Sequence, residues 1–185
     1  MHILNYYFTP FAVVLIVLAV LFSQPERAVT YECFGILGAA FAANLWLNKN
    51  IYRFLRWSRH IRAVTVWLNL AVSTALFYLL SPYWAPMWLL FLTAPAASAM
   101  YMKKRQVFGV ALASSALMVG IYLYRAVTFL TADAPDLTLG AAVSQAAGNT
   151  QLLGMAATQA VFIIFFSMFT AAMAEMIVKV RDSLR

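Results

Sequence analysis

Uninterrupted apolar stretches, each near the ~20 residues an α-helix needs to cross ~30 Å of hydrocarbon, constrain this chain more than any other feature. They cover about 8–23, 28–47, 63–80, 87–102, 107–130 and 152–178. Of the 185 residues, 64% are hydrophobic and 10% charged, against roughly half and a quarter in an ordinary soluble domain. A chain this oily has the bilayer, not a buried core, as its solvent. The expected fold is therefore all-α: one polytopic membrane helix bundle, residues 1–185, of about six transmembrane helices.

The punctuation between runs supports that division. Thr9-Pro10 reads as an N-cap followed by proline at the first helical position, where its missing N–H costs nothing. The first run lacks a basic flank before it, and Ser23-Gln24-Pro25-Glu26 lacks a small-x-small pattern, so it is expected as a retained helix and not a cleaved signal. Ser81-Pro82-Tyr83-Trp84-Ala85-Pro86 is a turn dense in the aromatics that favour the membrane boundary. Pro95, inside the fourth run, is expected to kink or loosen its helix. Residues 131–150 form the long outer loop, with Asp133, Pro135 and Asp136 first and an Ala-rich stretch able to form a helix after them.

Charge placement gives the bundle a direction. Short cytoplasmic loops carry the Lys/Arg excess. With the N-terminus inside, all of the 13 Lys and Arg residues except Arg27 and Arg125 fall on the cytoplasmic side. The expectation is N-in/C-in, in a plasma (inner) membrane. The net charge of +7 is thereby explained without nucleic acid, for which no basic domain exists.

Chemistry leaves little trace. No P-loop, HExxH, GxSxG, SxxK or GxGD-type sequence occurs, His2 and His60 lack ligand spacing, and the single Cys33 excludes an intrachain disulfide. The expectation is a non-enzyme with no cofactor and no metal.

The informative polar residues are Glu32 and Arg125, because ionisable groups in apolar runs are expensive and face an interior, a cavity or each other. On the deduced topology both lie toward the outer leaflet, so they are expected either to pair or to line an outward pocket with Tyr83, Trp84 and Trp88, joined by Gln159. The competing reading is that each charge snorkels to its own interface. Asn44, Asn69, Ser114, Ser115 and Thr158 are expected to bond across helices.

Segment 48–62 alternates basic and apolar residues in an interfacial amphipathic pattern, and Arg53, Arg56, Arg59 and Arg62 are candidates for anionic lipid or a docking partner beside their topological role. At the C-terminus Met173, Ile177, Val180 and Leu184 repeat with the 4-3-4 spacing of a coiled-coil seam, so a homodimer through the last helix is one expectation.

The run 88–97 (Trp88-Leu89-Leu90-Phe91-Leu92-Thr93-Ala94-Pro95-Ala96-Ala97), the short basic turn, the Ala-rich fifth helix, the long outer loop and the ending Ala174-Glu175-Met176-Ile177-Val178-Lys179-Val180-Arg181 resemble the multi-helix membrane modules that precede bacterial sensor histidine kinases and related signalling proteins. The likeness covers about the C-terminal half and is compositional; no phospho-acceptor histidine motif or ATP-binding box accompanies it. It implies a sensory or regulatory module that relays a signal through its last helix to another membrane or cytoplasmic protein. A small-solute capture subunit of a transporter and a structural subunit of a membrane complex are the alternatives.

Overall fold

In a computed structural model, residues 2–50, 58–100, 102–134 and 138–183 are described. Their elements are α1 (His2–Ser23), α2 (Arg27–Asn50), α3 (Ser58–Leu80), a 3₁₀ segment (Ala85–Leu92), α4 (Thr93–Ala99), α5 (Lys104–Asp133), α6 (Leu139–Gly148) and α7 (Thr150–Ser183). No strand occurs among the described residues, so the all-α expectation holds. Four helical stretches are long and apolar enough to cross a membrane: Arg27–Leu47, Ala63–Leu80, Lys104–Asp133 and Thr150–Ser183. Pro10–Ser23 and Ala85–Ala99 are apolar but shorter.

The helix ends follow local chemistry. α1 begins at His2, earlier than the Thr9-Pro10 signal suggested, and carries Pro10 inside, where the ring removes one backbone bond. It stops where Gln24 takes the left-handed conformation (φ 45°), its N–H still donating to the Val20 carbonyl at 3.1 Å, before Pro25 forbids continuation. α7 is capped by Asn149, whose Oδ1 accepts the Leu152 N–H at 3.1 Å. The Ala-rich half of the 131–150 connection is α6, which rests on α5 and α7 with Ala142 and Ala146 buried.

The largest departure from expectation is the fourth run. It is not one α-helix from 87 to 102 but eight residues of 3₁₀ helix followed by seven of α-helix. Runs of 3₁₀ beyond three or four residues are uncommon. Pro95 supplies a reason: it has no N–H to return to the Phe91 carbonyl, so the chain upstream bonds in the tighter i to i−3 pattern, as the Thr93 N–H does to the Leu90 carbonyl. A 3₁₀ helix rises ~2.0 Å per residue against ~1.5 Å in an α-helix, so the two pieces together reach ~26 Å. The stretched geometry lets a short segment come close to spanning the hydrocarbon.

That segment is the centre of the bundle. It touches α1, α3, α5 and α7, while α2 packs outside on α1 and α3. Met87, Leu90, Phe91, Ala94 and Ala97 are buried, and Phe91 meets Phe77 of α3 edge-on at 5.2 Å between ring centroids. Phe77 also meets Tyr122 of α5 edge-on at 5.2 Å. The outer faces are apolar too, with Phe22, Phe129, Phe165 and Phe169 exposed as a lipid-facing surface requires.

Phe77→Ala is expected to destabilise the bundle by roughly 2–3 kcal/mol, below the ~3–5 of a soluble core because the side chain leaves lipid and not water when helices associate. Reversible unfolding in mixed micelles measures it.

Candidate functional site

Two polar clusters flank the central segment. The first begins on α3, where Thr65, Asn69 and Ser73 recur every four residues and so share one face. Ser73 is buried and its hydroxyl donates to the Leu90 carbonyl at 3.2 Å; its oxygen lies 3.4 Å from that of Thr93. The Thr93 hydroxyl also donates to Leu90, at 2.5 Å. One carbonyl at the break between 3₁₀ and α geometry thus accepts from one backbone N–H and two hydroxyls. One turn along α3, Asn69 Oδ1 accepts from Asn44 Nδ2 of α2 at 3.0 Å, the cross-helix bond expected of these amides.

These groups line a cavity of about 50 Å³ whose remaining wall is apolar, from Ala12, Leu37, Phe41 and Leu76. Asn44 is 7% exposed and its Oδ1 has no hydrogen-bond partner. A cavity of that volume accommodates water, which needs ~10–15 Å³ of such space per molecule and two or more polar partners. The set offers acceptors (the Asn44 amide oxygen and two hydroxyl oxygens) to a ligand that brings hydrogen-bond donors.

The second cluster surrounds Arg125 of α5. Its guanidinium donates to the Tyr78 carbonyl and lies 5.0 Å from the centroid of the Tyr78 ring, a cation–π arrangement. Tyr83 is close enough to interact with it electrostatically. Arg125 Nε and Ser81 Oγ are buried without partners. One turn back on α5, Tyr122 lies beside the Gln159 side chain of α7, whose buried Oε1 has no hydrogen-bond partner among the described residues.

The structure therefore brings together Arg125, Tyr83 and, one turn away, Gln159. It does not bring Glu32 to them. The expected Glu32–Arg125 pair is not formed: Glu32 is exposed on α2, which packs on α1 and α3, and the ion pairs among the described residues are Glu175–Lys179 and Arg181–Asp182. Trp84 packs against the central core, and Trp88 meets Phe162 of α7 edge-on at 5.6 Å, so both serve packing. Arg53 and Arg56 lie outside the described residues; Arg59 and Arg62 fall in the first turns of α3. Among the described residues no group of three or more His, Cys, Asp or Glu side chains is placed to hold a metal.

Sequence reasoning treated Asn44 and Asn69 as helix glue and passed over Ser73 and Thr93. The four-residue spacing on α3 was the available signal; its meeting with Thr93 depends on the 3₁₀ break. No protein-family model, curated protein or solved structure matches the chain.

Asn44→Ala is expected to cost about 1 kcal/mol, because it leaves Asn69 without its cross-helix donor. Ser73→Ala is expected to cost under about 0.5 kcal/mol, since the Leu90 carbonyl keeps two other donors. Equal losses in micelle unfolding would contradict the bonding described.

Proposed function

We propose that this chain is a non-enzymatic sensory or regulatory membrane module, six times membrane-crossing with both termini cytoplasmic, which relays a change around Arg125 through α7. The observation that carries the reading is α7 itself. Its 34 residues form one unbroken helix, ~51 Å long and so well beyond the ~30 Å of hydrocarbon. It holds Gln159 beside the Tyr122–Arg125 turn and packs along α5 and the central segment on its way out. The six crossings add the two shorter apolar segments to the four long helices, and the topology rests on the Lys/Arg excess between runs.

A relay needs an element with two arrangements. The central segment is suited to that role. Converting its eight 3₁₀ residues to α-helix would shorten it by ~4 Å, drawing the Ser81–Trp84 turn, and with it Tyr83, away from Arg125. Among the described residues Arg125 has an unpaired Nε and no carboxylate partner, which suits an anionic group as the input. The resemblance to membrane modules of sensor kinases agrees with an output at the end of α7.

A second reading, capture of a small polar solute, draws on the acceptor-lined cavity at a broken helix, a combination suited to binding inside a membrane.

Spin labels at Arg105 and Asp182, in a Cys33→Ala background, report the distance between the cytoplasmic ends of α5 and α7. Arg125→Gln and Pro95→Ala, the latter restoring the missing N–H, are each expected to move that distribution by a few Å, on the order of the ~4 Å length change. An unchanged distribution in both overturns the relay. A fluorescent-protein fusion after Arg185 is expected to fluoresce and an alkaline phosphatase fusion there to be inactive; the opposite result overturns the topology.

A further inference from the structure

Where α4 ends, α5 begins and α7 leaves the bundle, the helices stand apart around a cavity of about 400 Å³. The gap has a cause in sequence: Ala99, Ala171 and Ala174 face it, and side chains of one carbon cannot fill the space between three helix ends. Its floor is dry. Ala99, Val107 and Ala171 form a small buried cluster of their own, with Met102 packed on it, separate from the main core. Its mouth is basic, with Lys103 and Lys104 both exposed at the cavity and Arg105 next in sequence.

The one acid on the wall, Glu175, is paired with Lys179 at 3.2 Å and does not neutralise the lysines. The positive end of the α5 dipole adds to the same sign. The first turn of α5 is fixed in place: the Gln106 side chain accepts the Lys103 N–H at 3.2 Å, and the Gln106 and Val107 N–H groups return to the Lys103 carbonyl at 2.8 and 3.1 Å.

A basic rim over an apolar floor is complementary to a molecule that joins a phosphate to hydrocarbon. About 400 Å³ is within the range of small-ligand pockets. We propose that this cavity binds one anionic glycerophospholipid, its phosphate held between Lys103 and Lys104 and the first carbons of an acyl chain laid over Met102 and Val178. Free phosphate would leave the apolar floor unused, and a zwitterionic lipid would bring its own cation against the lysines. Basic pockets between transmembrane helices bind anionic headgroups by this same combination. The site is distinct from segment 48–62, and it does not depend on the relay reading above.

Native mass spectrometry of the full chain in detergent, with equimolar phosphatidylglycerol and phosphatidylcholine of matched acyl chains, tests it. The wild-type chain is expected to retain phosphatidylglycerol in preference. Lys103→Gln with Lys104→Gln is expected to weaken that retention about thirty-fold, two basic residues' worth. Ala174→Leu and Val178→Phe, which fill the cavity without altering charge, are each expected to weaken it as well, with circular dichroism confirming that the variants keep the wild-type helix content. Retention unchanged by the lysine substitutions overturns the proposal. So does a loss confined to the lysine variant while both filling variants bind as wild type, which means surface charge without a cavity. Displacement of the lipid by millimolar inorganic phosphate overturns it too, in favour of a free-anion site.

Discussion

In hydrocarbon, a backbone carbonyl without a donor costs several kcal/mol, and no water is at hand to replace one. Pro95 removes a donor from the segment on which α1, α3, α5 and α7 all pack, so the manner in which that loss is absorbed governs the rest of the bundle. The chain absorbs it by tightening into a 3₁₀ helix, and the hydroxyls of Thr93 and Ser73 add donors at the neighbouring Leu90 carbonyl. The second hydroxyl comes from another helix. α3 lies against the break with Ser73 facing inward, and one turn away on the same face Asn69 meets Asn44 of α2. Side-chain hydrogen bonds thus link the break to α3, and α3 to α2.

Packing in lipid gains little from apolar area, because the tails are as apolar as the side chains. What decides neighbours is close approach and polar pairing. α5 and α7, the most extensive helix pair, illustrate both: Ser115 donates across to the Ala160 carbonyl at 3.3 Å, Gln159 lies beside Tyr122, and the small Ala156 is buried. Toward the other end of α7 small residues have the opposite effect. Ala171 and Ala174 lie where α4 and α5 diverge at the basic turn, and the same small side chains that let helices touch higher in the bundle leave a void.

Much of this was legible in sequence. Apolar run lengths located every membrane-compatible helix to within a few residues, since crossing length is a property of the run itself. The Ala-rich half of the 131–150 connection declared its helix by composition. Lateral adjacency was not legible. Charge and position toward one end offer Glu32 and Arg125 as one possible pair, yet α2 is peripheral and α5 central, and no run length encodes which helices touch. Arg125 instead finds a carbonyl and an aromatic face, partners that hydropathy and charge counting do not register. The 3₁₀ break is half visible: Pro95 announces a disturbance, but a proline does not by itself say whether its helix kinks or the turn before it tightens.

The two clusters also differ in kind, and the difference follows from charge. The Asn44–Asn69–Ser73–Thr93 group is neutral and nearly self-satisfied, with one amide oxygen left over. Arg125 carries a full charge into an apolar helix with only a carbonyl and ring electrons to hold it. A cation so placed is expensive unless it serves something. Were anchoring its only task, the helix end at Asp133 lies two turns further on and would have hydrated it freely. Its place inside the apolar stretch sets it near Gln159 of α7, the helix with which α5 packs most extensively.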